Sequence, residues 1–536
     1  MLLIRELSIA LDANQKDSLH RAVAARLHCP VGALRGLDVF RQAVDSRKKS
    51  DVHFVYHVLA ELETPQDEAR ILSMHIAGVE DYRAKTPQPP PLRRNSTFRP
   101  VIAGFGPAGI FAALELARAG LKPIVLERGE AIEARQTAIN AFHQSKKLNP
   151  ESNIQFGEGG AGTFSDGKLN TGIKDPLCRF VIETFAAHGA PSEIRVNAKP
   201  HIGTDRLGAV IQSMRRRITA LGGEVVFGAR LDDVILANNA VHGVVYSQNG
   251  HTIEMETDTL LLCIGHSARD TVAQLHRRGV MMAQKAFSIG ARIEHPRVWI
   301  DDAQYGKFAG HHALGAADYK LACHPPHGRG AYTFCMCPGG TVVCAASEEG
   351  GVVVNGMSAF ARDAENSNAA LLVGVDPAME GGDVLAGFAL QRRIEQSAFA
   401  AGGGSYAAPA QLVGDFLDCK PSTRLGCVRP SCSTGVALGN LSAILPDSVQ
   451  KTMREALPMM SQKLAPFARK EAVLTAPETR SSSPVRILRD ACCQSNISGL
   501  IPCGEGAGYA GGIVSAAVDG IRCAWQVIAD HTVHII

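Results

Sequence analysis

Six residues, Gly104-Phe105-Gly106-Pro107-Ala108-Gly109, carry the spacing G-x-G-x-x-G. They stand between an apolar run at 99–105, which predicts a strand, and a helical pattern at 107–119. In that setting each glycine has a task. Gly104 makes the tight turn, Gly106 lets backbone approach a pyrophosphate, and Gly109 lets helix and strand close together. Pro107 and Ala108 open the helix, whose unpaired first-turn N–H groups favour phosphate. The next strand, 122–127, ends in Glu127, with Arg128 following. A carboxylate there accepts hydrogen bonds from ribose hydroxyls and repels a 2′-phosphate.

A second glycine-rich run lies close to the other end of the sequence. Gly504 and Glu505 begin it, Gly511 and Gly512 end it, and Ile513 starts a helical stretch over 513–528. Glu505 is positioned to hold a ribityl hydroxyl. Gly511 and Gly512 let the chain graze a flavin, and the helix N-terminus favours the negative charge of the reduced ring. A nucleotide fold opened near residue 100 and completed after residue 500 implies one long cofactor touching both ends, FAD rather than NAD. Two intermediate segments are expected to serve it. The 157–167 loop brings Gly159, Gly160, Ala161 and Thr163, with Lys168 just beyond. An apolar strand at 259–264 ends in Gly265, and Leu231 joins the expected contacts from the strand-rich stretch 224–257.

Three side chains are expected to act on substrate. Lys168 can stabilise negative charge near flavin N5. Arg480 and Arg486 can form an anion clamp, because a guanidinium binds carboxylate in bidentate fashion and stays charged. The expected partner is therefore a small organic anion that exchanges hydride with flavin N5. NAD(P)H has no second dinucleotide motif to bind, so it enters only as a transient donor. His324, His327, Cys335 and Cys337 lack the convergent spacing of a zinc site. No metal is expected; the cysteines read as buried thiols, and a C-x-C disulfide as short and strained.

These residues need an α/β scaffold. Residues 98–280 and 484–536 read as a discontinuous Rossmann-like FAD-binding domain. Residues 281–483 lose the βα alternation and read as an inserted α+β substrate domain, with strands near 287–293, 332–337, 341–345 and 351–355 and helices near 385–400 and 449–467. Residues 1–85 form a small β-α-β-β domain, with strands at 2–11, 37–44 and 53–62. The proline-rich stretch 86–97 reads as a semi-rigid linker. The Arg47-Lys48-Lys49 turn of the small domain reads as a solvated tip.

The quoted motifs, with residues 149–169, 331–340, 478–486 and 504–520, resemble a family of bacterial FAD-dependent, or NAD/FAD-utilising, dehydrogenases of unknown substrate. The resemblance covers nearly the whole chain. More distantly the sequence is similar to fumarate reductase-like and amino-acid-oxidase-like flavoproteins, which set an inserted substrate domain over the flavin. The resemblance implies fold and cofactor, not a reaction.

The composition narrows the alternatives. A net charge of +3 gives nucleic acid and membrane no electrostatic case, and no apolar run is long enough for a bilayer. Fourteen cysteines without a framework read as reduced thiols in a cytoplasm. Two other functions stay open on the sequence: an RNA-modifying flavoprotein using the basic turn, and a FAD-binding protein without turnover. Oligomeric state is not legible.

Overall fold

The structure is a computed structural model, and it describes residues 1–84, 87–93, 96–376 and 381–529. Thr86, Arg94 and Asn95 of the linker, and 530–536 of the last segment, lie outside the described residues.

At the centre is a five-stranded parallel sheet in the order Leu500–Pro502, Leu260–Leu262, Val101–Ala103, Ile124–Glu127, Glu224–Phe227. Strands from either side of the inserted domain thus meet in one sheet, with Leu500 opposite Leu260 and Leu260 opposite Val101. These short runs are apolar on both faces, as a sheet covered on both sides requires. Ile102, Val125, Leu261 and Ile501 face the helices Pro107–Arg118 and Ile513–Ile528. Val101, Leu126, Leu260 and Leu500 face an antiparallel meander of Ala229–Ala237, Ala240–Gln248 and His251–Glu256. The strand-rich stretch 224–257 therefore holds four strands. Its first joins the parallel sheet, and only the rest form the meander.

The two helices touch backbone to backbone. A Cβ on Gly520 would lie 2.2 Å from the Ala108 carbonyl oxygen, so glycine sets how closely they pack.

The inserted domain hangs on a two-stranded stub, Met282–Gln284 paired antiparallel with Val485–Ile487. Its seven-stranded sheet runs Ala322–Cys323, Ala331–Cys337, Asn366–Val375, Phe287–Pro296, Val473–Glu478, Ala408–Leu412, Val436–Leu438. Helices Ala386–Ala401 and Asp447–Ser461 pack against it. The helix expected over 449–467 stops at Ser461, and Pro466 sits in a separate short turn, Ala465–Ala468. The strand expected at 351–355 is Val354–Met357.

The N-terminal domain is β-α-β-β-α-β rather than β-α-β-β. Its sheet order places Leu34–Asp45, His53–Leu62, Leu2–Ala10 and Val79–Asp81 side by side. The missed helix, Pro65–Ser73, begins at Thr64, whose side chain accepts from Asp67 N at 3.1 Å. The missed strand is three residues long and two of them are acidic, so it carries almost no apolar signal. This domain docks onto the rest through Gln42, which exchanges backbone hydrogen bonds with Val196 and Ala198, both 2.7 Å. No helix among the described residues is long and apolar enough to cross a membrane.

Candidate active site

A cavity of about 880 Å³ runs between the parallel sheet and the inserted domain. Two helix N-termini from distant parts of the sequence open into it, those of Pro107–Arg118 and Ile513–Ile528. Neither receives a side-chain cap. Their first-turn N–H groups thus keep the partial positive charge of a helix start facing one space.

The glycines of the first motif divide by role. Gly104 has φ +98°, and a Cβ there would lie 2.4 Å from the Cys263 carbonyl oxygen. A Cβ on Gly109 would lie 2.0 Å from the Gly104 oxygen. Gly109 does not line the cavity; it closes the turn from behind. At Gly106 the nearest atom to such a Cβ is Gly160 Cα, 3.7 Å away, so this position borders open space. Gly104, Gly106, Pro107 and Ala108 all line it.

Glu127 sits beside this turn, buried at 4 % exposure. Its Oε1 accepts from the Gly129 and Gly157 N–H groups, both 2.9 Å, and its Oε2 from Phe105 N–H at 2.7 Å. The carboxylate therefore pins three segments together, and acceptor capacity for a ribose hydroxyl remains on Oε2. Arg128 covers the Phe156 ring at 4.0 Å and pairs with Glu151 at 2.9 Å and Asp270 at 3.1 Å. Leu231 and Gly265 line the cavity nearby.

The 157–167 loop is held by buried charge. Arg135, 0 % exposed, donates to the carbonyls of Asn153, Ile154 and Glu158 at 2.9, 2.9 and 2.7 Å. Asp166 is equally buried and is bound by Lys168 at 3.1 Å, by Arg362 and by Ser358. Gly160, Ala161 and Lys168 line the cavity, whereas Gly159 and Thr163 lie behind it. In the C-terminal segment, Glu505, Gly511, Gly512 and Ile513 line it. Gly504 does not; its N–H is bound to Asp519 at 2.7 Å.

Both walls of the cavity carry perturbed groups. Burial pushes the Glu478 carboxyl up to about 7, against the pull of Arg292 at 3.0 Å. Burial also lifts Glu505 to about 7, with Lys285 opposing. Burial lowers His266 to about 4, and its Nε2–H donates to the Arg480 carbonyl at 2.5 Å. Such shifts gathered in one cleft mark it as a place for chemistry. Arg292, Glu478 and His266 were not singled out by sequence, because nothing in their local spacing differs from ordinary strand and turn residues.

The two expected anion ligands are not free to form a clamp. Arg480 borders the cavity, but its guanidinium is spent on Glu395, with bonds of 2.9 and 2.7 Å, and on Ser267 and Ser347 at 3.2 and 2.5 Å. Arg486 points to the outside of the stub, exposed, 5.2 Å from the Tyr509 ring centre. A clamp of these two does not form. Lys168 does face the cavity, a quarter exposed, bound to Asp166 and to the Met336 carbonyl. Burial works against its charge, and Cys337, Cys335 and Asp166 outweigh that and raise its pKa.

Potential metal ligands converge at two other places among the described residues, Asp12–His311–His312 and Cys503–Asp519–Cys523. In the second, Asp519 is already held by Arg489 at 2.6 and 3.0 Å. The basic turn is exposed, as expected of a solvated tip. Arg47 pairs with Asp45, and Lys49 docks on Gln304 of the inserted domain.

Residues 286–481 match the family model described as "FAD-dependent protein, C-terminal domain-like", and residues 1–61 match a domain of unknown function. The chain is 44 % identical over 541 residues to an uncharacterized protein of Clostridium beijerinckii, covering 98 % of each. Among solved structures it is similar to the flavin-dependent brominase Bmp2 (14 % identity, 81 % of this chain and 80 % of that one, TM-score 0.38). It is also similar to a flavoprotein/dehydrogenase from Cytophaga hutchinsonii (11 %, 80 % and 78 %, TM-score 0.37) and to the FrdA subunit of E. coli quinol fumarate reductase (13 %, 81 % and 70 %, TM-score 0.36). Scores of this size are too low to carry the fold, which rests on the sheet topology itself. The inserted domain that walls the cavity matches along almost its entire length, and the chain belongs to the FAD-dependent protein family.

Proposed function

We propose that the protein is a FAD-dependent oxidoreductase acting on a small molecule between its two large domains. One observation carries the reading: two uncapped helix N-termini, at Pro107 and Ile513, share a single cavity with Glu127. The donor set fits FAD. Gly106 and the N–H groups that follow it would hold the pyrophosphate. Glu127 would hold the adenosine ribose, Glu505 the ribityl chain, and the helix start at Gly512–Ile513 would serve the ring edge. When bound, the flavin supplies two-electron chemistry, accepting or giving hydride.

The protein's own residues shape the rest. Asp166 and Arg135 hold the 157–167 loop rigid against the cofactor space. Lys168 presents a positive charge to it, and Glu478 and Glu505, titrating near neutrality, are suited to hold or release a proton. The anionic-substrate reading rests on Lys168 alone, since Glu395 neutralises Arg480. NAD(P)H is one candidate donor. An RNA substrate has only the short exposed turn Arg47-Lys48-Lys49 and a net charge of +3 behind it.

The test is anaerobic flavin bleaching by NADH, NADPH and a panel of small organic acids. Bleaching by at least one donor, slowed in Lys168→Met with flavin still bound, supports the reading. No bleaching by any donor, with dithionite still reducing the flavin, points to a FAD-binding protein without turnover.

A further inference from the structure

We propose that Cys335 and Cys337 form a redox-active dithiol that exchanges two electrons with the flavin and, through the cavity, with a small disulfide or dithiol. The inference rests on the FAD reading above.

The strand Ala331–Cys337 is not regular where the cysteines sit. Phe334 pairs with Ala370 and Cys337 with Asn368, so three steps on one strand face two on the other. That is a bulge, and Cys335 within it has φ +40°. In a regular strand the Cα atoms of residues two apart stand roughly 6.6 Å from each other, near the upper end of what a disulfide spans. The bulge departs from that regular spacing.

The two sulfurs have different surroundings. Cys335 is half-buried and lines the cofactor cavity, whereas Cys337 is fully buried. The Cys337 thiol lies 3.3 Å from the Cys335 carbonyl oxygen. Arg292 donates to that same oxygen at 2.7 Å and stands 3.7 Å from the Cys337 sulfur. Lys168 reaches in from the glycine loop to the Met336 carbonyl, between the two cysteines. Hydrogen bonding from Cys337, with Lys168 and Arg292, pulls the Cys335 thiol well below its ordinary range despite burial. By contrast, burial raises Cys344 and Cys432 in the same domain, as for inert structural thiols. A thiol on the cavity wall, with its pKa pulled down, backed by a buried thiol is the arrangement of an attacking and a resolving cysteine.

The step balances. The Cys335 thiolate and the Cys337 thiol form one S–S bond. Their two electrons and the Cys337 proton pass to oxidised flavin, giving its reduced anion. A small dithiol then restores the pair: its thiolate attacks the protein disulfide, its second thiol closes on the first, and Cys335 and Cys337 are released reduced.

The experiment uses FAD-loaded protein, dithiothreitol as the probe and anaerobic conditions. Dithiothreitol is expected to bleach wild-type flavin at least tenfold faster than Cys335→Ser or Cys337→Ser, while dithionite bleaches all three. In oxidised protein, the peptide carrying both cysteines is expected to be two hydrogens lighter than in reduced protein. Equal bleaching by dithiothreitol in all three, or two free thiols in the oxidised protein, overturns the proposal and leaves the flavin reading intact. If dithionite bleaches none, the flavin reading itself has failed.

Discussion

Glu395 and Arg480 are bound side by side in the interior, through hydrogen bonds of 2.9 and 2.7 Å, and the same carboxylate takes two more from Arg269 at 2.8 and 2.9 Å. Burial opposes the carboxylate charge, yet Arg480 and Arg269 hold Glu395 far below the usual carboxylate range. The cluster ties the helix Ala386–Ala401 to the strand return at Thr479, whose hydroxyl donates to Glu395 at 2.6 Å.

Arg480→Met is therefore expected to act on stability before substrate binding. Removing one partner from a buried ionic cluster costs about 3–5 kcal/mol. Adding Glu395→Gln should recover part of that loss. Urea unfolding of the single and double variants measures it. A stable Arg480→Met protein with only a raised KM for an organic acid would restore the anion-clamp role.

Gly106→Ala and Gly109→Ala should part company. The first puts a methyl group into the open space beside the helix start, where only Gly160 Cα stands at 3.7 Å. It is expected to fold and to lose bound flavin. The second drives a methyl group to 2.0 Å from the Gly104 oxygen and should unfold the nucleotide domain. Circular dichroism and flavin absorbance together distinguish the outcomes; equal flavin content in Gly106→Ala and wild type would contradict the assignment.

Glu127→Ala leaves three backbone N–H donors without their acceptor. Hydrogen bonds to a charged group are worth about 1.5–3 kcal/mol each, so the variant should melt several degrees lower and hold FAD poorly. Glu127→Gln keeps the oxygen that two of the donors need and should recover most of the melting temperature. Thermal unfolding of flavin-free protein reads the structural part alone.

Stability should also depend on pH in a defined sense. Glu478 and Glu505 titrate near 7 in the folded protein, above the usual 4.3 or so of an unfolded glutamate. Between those values the folded state binds more protons, so stability falls as pH rises from about 4.5 to 7. Glu395 works in the opposite direction. Its contribution is complete above the unfolded value and is lost as pH falls toward its depressed folded value. Glu478→Gln with Glu505→Gln should flatten the fall toward neutral pH, measured by urea midpoints on flavin-free protein from pH 5 to 8.

The legible parts of the sequence were those where local pattern and local geometry coincide. The 104–109 turn, the strand His53–Leu62 and the helix Ile513–Ile528 needed only periodicity and glycine spacing. The partnerships were not legible. Arg480 looked free because Glu395 is 85 residues away in sequence, and Lys168 gave no hint of Met336. The bulge at Cys335 depends on pairing with Asn366–Val375, a contact no local window contains. Val79–Asp81 escaped because a three-residue polar strand exists only through its partner Leu2–Ala10.

The central claim is that backbone from both ends of the chain grips one FAD. The direct measurement is the absorbance spectrum of freshly purified protein, with chromatography of the flavin released on denaturation and its ratio to chain. The expected result is FAD, close to one per chain, retained through gel filtration in wild type and lost in Gly106→Ala. Colourless protein that takes up no FAD after incubation with excess, while folded by circular dichroism, would contradict it.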